Sequence, residues 1–301
     1  MQPRLKLNLD LNFTGAHIRV MRGQYSLPDW NQLASYGDDE LPLLGTALLI
    51  ARDEYPHLDA AAYAATIQDY ADKLKPTLGA DADLPATLTR INRYLFEELG
   101  FAGNNSQYDD PRNSYLNEVF DRKLGIPISL AVVQIELMRR LGLPLDGISF
   151  PGHFLVRLPV EDGIVVLDPY NKGRPVSVEE LKERASPHLG GHLPDDVQLI
   201  EILAPASHRT ILARMLRNLN GLYLERKDWE RVARTSDRLL RIAPDAVEAY
   251  RDRGMAYQEL GYAKGARDDL SRYLQMLPKA GDEDSVRMLL VGLSGMRARL
   301  N

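Results

Sequence analysis

The chain has 301 residues, of which 45% are hydrophobic and 26% charged, so it is long enough for two domains with sizeable hydrophobic cores. Its net charge of −5, with both signs mixed along the chain, gives no basic surface for nucleic acid, and we expect no direct nucleic-acid partner. The absence of cysteine excludes disulfides, thiolate metal sites and a cysteine nucleophile.

Residues 1–38 are predicted to form an N-terminal extension. Four leucines near its start alternate with polar residues, which is typical of a short strand or an arm: Leu5, Leu7, Leu9 and Leu11. Pro28 and the Gly37-Asp38-Asp39 cluster then interrupt this pattern. The extension lacks the apolar block and small-residue cleavage site of a signal peptide.

Residues 39–205 are predicted to form a mainly helical domain. Apolar residues at helical spacing indicate four helices between Leu41 and Gly125, separated by prolines and glycines. A fifth helix is predicted to begin at Pro127, because proline lacks an N–H and the first helical residue needs none. This helix is apolar on more than one face and ends at Gly142, so we predict that it is buried and central.

A change in the apolar period from 3.6 to 2 after this helix indicates strands. His153–Leu158 and Ile164–Leu167 are the predicted strands, and Asp162-Gly163 is a turn signal between them. A hairpin that closes there brings Asp168 across from His153, within a residue or two of register. The two side chains are therefore predicted to be neighbours.

The segment 186–192 is rich in glycine and histidine and is predicted to be a linker. Its histidines raise the alternative of a zinc site together with other polar residues of this region: His153, His188, His192, Asp168, Asp195 and Asp196. The linker histidines have no partner at compact ligand spacing, so neither a metal nor a cofactor is expected.

Residues 206–301 are predicted to form an all-α repeat region. Pro244 and Pro278 are 34 residues apart, and aromatic and small residues recur at the same offset. This combination is typical of tetratricopeptide repeats. The second copy fits the pattern better, because the first has polar Ser236 at a usually apolar position. Apolar residues from Val286 to Met296 indicate a C-terminal capping helix.

Several motifs, taken together, resemble one known family. They are, in chain order, Leu48–Pro56, Asn117, Gly125–Leu130, Leu141–Pro144, Phe150–Val156 and Leu167–Tyr170. Together with the repeats, these motifs resemble the SirB-type transglutaminase-like family, and the resemblance extends over roughly residues 40–280. These are largely uncharacterised bacterial proteins that join such a domain to C-terminal tetratricopeptide repeats.

The resemblance implies a three-residue catalytic site in which one residue is replaced. Active transglutaminase-like and papain-like enzymes place a cysteine at a helix N-terminus, a histidine on a strand and an aspartate that orients the histidine. His153 and Asp168 fall at the histidine and aspartate positions of this resemblance. Counting back from Leu141-Gly142 by the usual helix length places the cysteine position at Pro127, which has no reactive side chain.

Ser129 is the remaining candidate nucleophile, because it lies in the first turn of the same helix, where anions are stabilised. Two residues along a helix correspond to a rotation of about 200°, so its side chain is predicted to point away from the cysteine position. Ser129 also suits a structural role in which it satisfies a free backbone N–H. His153 and Asp168 have a structural alternative as well, a buried hydrogen-bonded pair that makes the hairpin rigid. Asn117 is expected to reach the helix entrance by a hydrogen bond.

These observations predict an α+β fold, with a mainly helical papain/transglutaminase-like domain, a small antiparallel sheet and an all-α tetratricopeptide repeat array. No run of about 18 apolar residues is present, so we expect no membrane partner and a cytoplasmic location. The predicted function is a non-catalytic module that binds a protein or peptide partner, with the repeats as the docking surface. The alternatives are a serine-dependent hydrolase or acyltransferase that uses Ser129, His153 and Asp168, and a scaffold whose first domain only supports the repeats.

Overall fold

The computed structural model describes residues 25–79 and 82–298, so the predicted strand or arm at Leu5–Leu11 lies outside the described residues. Within the described part the chain divides into two compact units. Of the described residues, the first unit contains residues 25–28 and Asp38–Ile211. The second contains Asp29–Gly37 and residues 212–298.

The first unit is mainly helical. Its helices among the described residues are α1 (Leu43–Arg52), α2 (Ala60–Leu74), α3 (Leu84–Asn92), α4 (Leu116–Arg122), α5 (Pro127–Arg140), α6 (Val178–Ala185) and α7 (Asp196–Ile202). Short polar side chains cap several of them, because the first backbone N–H groups of a helix have no partner within it. Asp59 accepts from the N–H of Ala62 in α2, and Asp83 accepts from the N–H of Ala86 in α3.

Helix α5 is the central helix of this unit. Pro127 occupies its first turn, and every residue from Pro127 to Met138 is buried. The helix packs against α1, α2 and the main sheet. Glu136, the charged residue within the buried stretch, is bonded by Arg139 and Arg140 at 2.8 and 2.6 Å. The predicted buried central helix is confirmed.

The main sheet has four antiparallel strands in sequence order: β3 (Asp146–Ile148), β4 (Leu155–Val160), β5 (Gly163–Asp168) and β6 (Arg174–Pro175). A separate parallel pair joins β1 (Ala102–Gly103) to β2 (Leu124–Gly125). In the β4–β5 hairpin, Val160 pairs with Gly163 and Val156 with Leu167. The next position of this register places Asp168 opposite Leu155, two residues from His153. This agrees with the predicted hairpin, except that β4 begins two residues later than predicted.

One face of the main sheet is covered by α6 and α7. Side chains from the sheet and from these helices form a common buried cluster: Ile148, Phe150, Leu155, Val166, Val176, Leu181, Ala185, Leu199 and Leu203. Burial of apolar surface on this scale is the main force that fixes a helix to a sheet. The cluster therefore sets the position of α6 relative to the end of β5.

The second unit is a stack of helices. They are the C-terminal part of α8 (His208–Glu225), then α9 (Trp229–Ile242), α10 (Val247–Glu259), α11 (Ala263–Met276) and α12 (Glu283–Ala298). The predicted capping helix is present as α12, whose Val286 and Leu293 join the buried cluster of α11. The mainly helical α+β architecture with a helical repeat array is confirmed.

The polar residue in the first repeat has a specific partner in the repeat core. Ser236 and Thr235 donate hydrogen bonds to Oδ1 of Asn220 at 3.1 and 2.8 Å. Asn220 in turn donates to Asp252 of the next repeat at 2.7 Å. All four side chains are buried, so a satisfied polar network replaces apolar packing between the repeats.

Among residues 25–79 and 82–298, no helix is long and apolar enough to cross a membrane.

Candidate functional site

His153 and Asp168 form a direct hydrogen-bonded pair. His153 follows a tight turn in which its backbone N–H donates to the carbonyl of Phe150 at 3.2 Å. Gly152 has a φ of +66° in this turn, a conformation that glycine adopts without strain. Asp168 ends β5, and its Oδ1 lies 3.0 Å from Nε2 of His153. The side chain of Asp168 is fully buried, whereas that of His153 is 21% exposed.

The Asp168 carboxylate is surrounded by hydrogen-bond donors. It caps the short 3₁₀ turn Pro169–Asn171 by accepting from the backbone N–H groups of Tyr170 and Asn171 at 3.1 and 3.3 Å. The Asn171 side chain and Nη1 of Arg184 donate to Oδ2 at 2.7 and 2.8 Å. Burial raises the pKa of Asp168, but the hydrogen bonds from His153, Arg184 and Asn171 outweigh it and hold this pKa well below its usual value.

Arg184 is the main residue of this site that the sequence did not reveal. It lies in the last turn of α6, where an arginine is ordinary because its charge suits the helix dipole. Its Nη2 also bonds Glu180 at 2.6 Å, one turn earlier. Arg184 therefore balances the charge of Asp168, so the carboxylate has a cationic partner even when His153 is neutral.

Ser129 is held at the entrance of α5 and has no hydrogen bond to His153. Its hydroxyl accepts from the backbone N–H of Ile126 at 3.1 Å and lies 2.6 Å from the carbonyl of Asn113, to which it donates. The side chain is completely buried. The hydroxyl thus satisfies the N–H of the residue before the helix, one of the groups that a helix leaves unpaired. The structure brings His153 and Asp168 together and places the Ser129 hydroxyl in a different set of contacts.

Asn113, rather than Asn117, reaches the entrance of α5. The Asn113 carbonyl accepts from Ser129 and from the N–H of Ile126 at 3.4 Å. Its side chain holds the preceding loop by donating to the carbonyls of Gln107 and Tyr108. Oδ1 of Asn117 is buried and has no hydrogen-bond partner, so this oxygen does not accept the hydrogen bond expected at the helix entrance. Both asparagines precede the helix by a similar distance in sequence, and only the tertiary fold distinguishes them.

A polar brace connects α3 and α5 to the turn that follows Asp168. Gln134 of α5 donates to Asn92 Oδ1 at 3.0 Å, and Asn92 donates to the carbonyl of Gly173 at 2.6 Å. The N–H of Gly173 donates back to the carbonyl of Asp168 at 2.8 Å. Gly173 has a φ of +68°, and a Cβ there would collide with Asn92 Oδ1. The Asp168 turn is therefore fixed from its backbone as well as through its side chain.

Aromatic rings border the exposed edge of His153. The Tyr170 ring meets the His153 ring edge to face, with centroids 6.1 Å apart. Tyr108 meets Tyr170 in the same way at 6.1 Å and is 48% exposed. Tyr170 also donates to the Asn105 side chain at 2.8 Å. These contacts leave His153 next to a partly exposed row of rings, a surface chemistry that is common where proteins bind peptides.

The segment predicted to be a linker is ordered against the His153 turn. Ser186–Leu189 forms a 3₁₀ turn directly after α6. The His188 ring lies so close to Gly152 that a Cβ there would collide with Nε2 of His188. The predicted linker thus begins with a turn whose Leu189 packs against the cluster that α6 shares with the sheet. Within the described ranges, no group of three or more histidine, aspartate or glutamate side chains is arranged to hold a metal ion.

The chain is similar to known proteins over most of its length. Residues 61–217 match the family model of the transglutaminase-like superfamily, and residues 219–291 match a tetratricopeptide repeat model. A UPF0162 protein of Xylella fastidiosa (strain 9a5c) is 57% identical over 274 residues, which cover 91% of this chain and 98% of that protein. A UPF0162 protein of Pseudomonas aeruginosa is 32% identical over 235 residues, 77% of this chain and 83% of the relative.

A more distant likeness extends to a human protein. F-box only protein 21 of Homo sapiens is 28% identical over 186 residues, which cover 58% of this chain and 28% of that longer protein. The first match falls mainly on the helical unit that contains the His153–Asp168 pair, and the second falls on the repeat array. The chain therefore belongs to the UPF0162 family, in which a transglutaminase-like domain is followed by tetratricopeptide repeats.

Proposed function

We propose that this protein is a protein-interaction module whose transglutaminase-like domain binds a partner without acyl transfer. The observation that carries the proposal is the entrance of α5. Pro127 stands in the first turn, where the resemblance places a catalytic cysteine, and the neighbouring Ser129 hydroxyl is bonded to main-chain groups. Nucleophilic catalysis needs an activated nucleophile within hydrogen-bond reach of its base.

The His153–Asp168 pair has a structural role in this proposal. Asp168 joins the end of β5, the Pro169–Asn171 turn and Arg184 of α6 through one buried carboxylate. His153 adds the β3–β4 turn to the same group. A buried carboxylate that is fully hydrogen-bonded holds its neighbours in one arrangement. The pair thereby keeps the partly exposed row of His153, Tyr170 and Tyr108 in a fixed shape that can receive a partner.

The serine-dependent alternative requires a rearrangement at the helix entrance. Ser129 would have to break its bonds to Asn113 and Ile126 before its hydroxyl could transfer a proton to His153. This would leave the N–H of Ile126 and the carbonyl of Asn113 with only the 3.4 Å hydrogen bond between them, at a cost of about 0.5–1.5 kcal/mol for each side-chain hydrogen bond lost. The geometry therefore favours the non-catalytic function.

The proposal also covers the family, the location and the domain division of the protein. It includes a likeness to SirB-type proteins, a cytoplasmic location and a division of the chain into residues 1–38, 39–205 and 206–301. The repeats supply the main docking surface, because stacked helical repeats present an extended surface to a protein or peptide. No cofactor is required for binding of this kind.

An activity assay tests the non-catalytic half of the proposal. The full-length protein, Ser129→Ala and His153→Ala are incubated with a glutamine-containing peptide plus an amine acceptor, and separately with p-nitrophenyl acetate. His57→Ala serves as the matched control, because His57 is an exposed histidine of the same unit. We expect all four proteins to give the rate of buffer alone. Turnover that is lost in His153→Ala and kept in His57→Ala would overturn the proposal.

A binding selection tests the other half. The full-length protein is used to select from a displayed peptide library, and each selected peptide is titrated against wild type and against Tyr108→Ala. We expect selected sequences with a shared pattern, and weaker binding to Tyr108→Ala for those that use the first unit. A selection that enriches no peptide above an unrelated control protein would contradict the binding function. Peptides that bind only through the repeats would support the scaffold alternative.

A further inference from the structure

A short segment from the N-terminal region of the chain is part of the repeat unit. Residues Asp29–Gly37, called here the Trp30 segment, belong to the second unit. Within it, Leu33–Ser35 forms a 3₁₀ turn that packs on helix α9. The Trp30 segment thus covers one surface of the repeat array, although it lies far from the repeats in the sequence.

Three contacts hold the Trp30 segment on α9. The Arg238 guanidinium lies over the Trp30 ring at 4.7 Å from its centroid, a favourable cation–π distance. Arg241 donates a hydrogen bond to the side-chain oxygen of Asn31. Leu33 is completely buried, whereas most of its neighbours in the segment are exposed. An aromatic ring, a carboxamide and one leucine therefore contribute to holding the Trp30 segment on α9.

The surface of α9 that receives these groups is fixed by its own ion pairs. Asp237 accepts from Arg241 at 2.8 Å and from Arg238 at 3.3 Å. Its other oxygen accepts from Arg253 of α10 at 3.0 Å. The two arginines are consequently oriented by a carboxylate that also ties α9 to the next repeat. A side chain that meets them does not have to order them first, which favours binding.

Local hydrogen bonds close the turn of the Trp30 segment. Its turn is closed by local bonds, from the Asn31 N–H to the Asp29 side chain at 2.7 Å and from the Ser35 N–H to the Gln32 carbonyl at 3.0 Å. Trp30 and Leu33 are three residues apart, and both are in contact with the repeat unit, Trp30 through Arg238 and Leu33 through its buried side chain. A peptide of nine residues therefore contains Trp30, Asn31 and Leu33 together.

We propose that this face of α9 is a peptide-docking surface and that the Trp30 segment is its built-in occupant. The partner that fits it is a peptide with an aromatic residue, then a carboxamide or carboxylate residue, and a leucine three positions after the aromatic residue. Such a partner binds by displacing the Trp30 segment. The inference rests on the proposed interaction function and assigns one surface and one ligand chemistry to it.

A titration with the isolated sequence tests this inference. A fluorescein-labelled peptide of residues 29–37 is titrated by anisotropy with full-length wild type and with full-length Trp30→Ala/Leu33→Ala, whose own segment lacks both anchors. We expect saturable binding to the double variant and at least tenfold weaker binding to wild type, because there the built-in segment competes. Adding Arg238→Ala to the double variant should weaken binding about tenfold. Arg272→Ala, which changes an exposed arginine of α11, is the matched control and should leave binding unchanged.

The outcomes separate this inference from the proposed function. Equal binding to wild type and to the double variant, or no binding to a variant whose circular dichroism matches wild type, would overturn it. A dimer of wild type that the double variant does not form would assign the surface to a second copy and also overturn it. None of these results depends on the activity assay, and acyl-transfer activity would leave the peptide titration as it stands.

Discussion

Replacing Asp168 with asparagine should destabilise the first unit by about 3 kcal/mol. The carboxamide of the variant can still accept from the backbone N–H groups of Tyr170 and Asn171, but it cannot balance the charge of Arg184. Removing one partner from a buried ion pair costs about 3–5 kcal/mol. Because the Arg184 side chain is 26% exposed and can turn toward water, the low end of that range applies.

A double-mutant cycle measures the interaction energy between Asp168 and Arg184. Free energies of unfolding are measured by urea denaturation for wild type, Asp168→Asn, Arg184→Met and the double variant, and the transition of the first unit is followed. We expect the double variant to be less destabilised than the sum of the single variants, with a coupling energy of about 2 kcal/mol. An unfolding free energy of Asp168→Asn within about 0.5 kcal/mol of the wild-type value would refute the structural role of this carboxylate.

The pH dependence of the same variants gives an independent check. The pKa of Asp168 is lowered in the folded protein, so its ionised form contributes stability above the unfolded pKa of about 3.9. This contribution is lost as the pH falls through that value toward the lower folded pKa. The difference in unfolding free energy between wild type and Asp168→Asn should therefore shrink as the pH falls below about 4. A difference that grows as the pH falls below about 4 would contradict the assignment.

Three further substitutions test the packing around the site and in the repeats. Ser129→Ala should cost about 1–2 kcal/mol in unfolding free energy, because the N–H of Ile126 loses its side-chain acceptor; a neutral effect would contradict this role. Gly173→Ala should lower the unfolding free energy by at least about 1 kcal/mol more than Gly100→Ala does. Both positions have a positive φ, but only at Gly173 would a Cβ collide with a side chain. Equal losses of stability in the two variants would argue against the polar brace at Gly173. Asn220→Ala should destabilise the repeat unit by about 2 kcal/mol and leave the transition of the first unit unchanged, which separate spectroscopic probes of the two units can verify.

The sequence determined the parts of this protein that depend on local order. The start of α5 at Pro127 follows from the missing N–H of proline, and the β4–β5 hairpin follows from a period of two around Asp162-Gly163. The hairpin register in turn brought His153 and Asp168 together. The repeat period of 34 residues predicted the helical array, because each repeat presents the same faces to its neighbours.

Only the tertiary structure decided which polar groups meet across the fold. Arg184, on an ordinary solvent-facing helix pattern, was brought to Asp168 by the apolar packing of α6 on the sheet. Long-range packing of the same kind brought the carbonyl of Asn113 to Ser129 at the start of α5, where Asn117 had been expected, and placed His188 beside Gly152. Single polar residues of this kind have no period in the sequence, and the apolar surfaces that position them lie far away along the chain. For that reason the sequence predicted the pair at the centre of the site, and the fold supplied the residues that hold it.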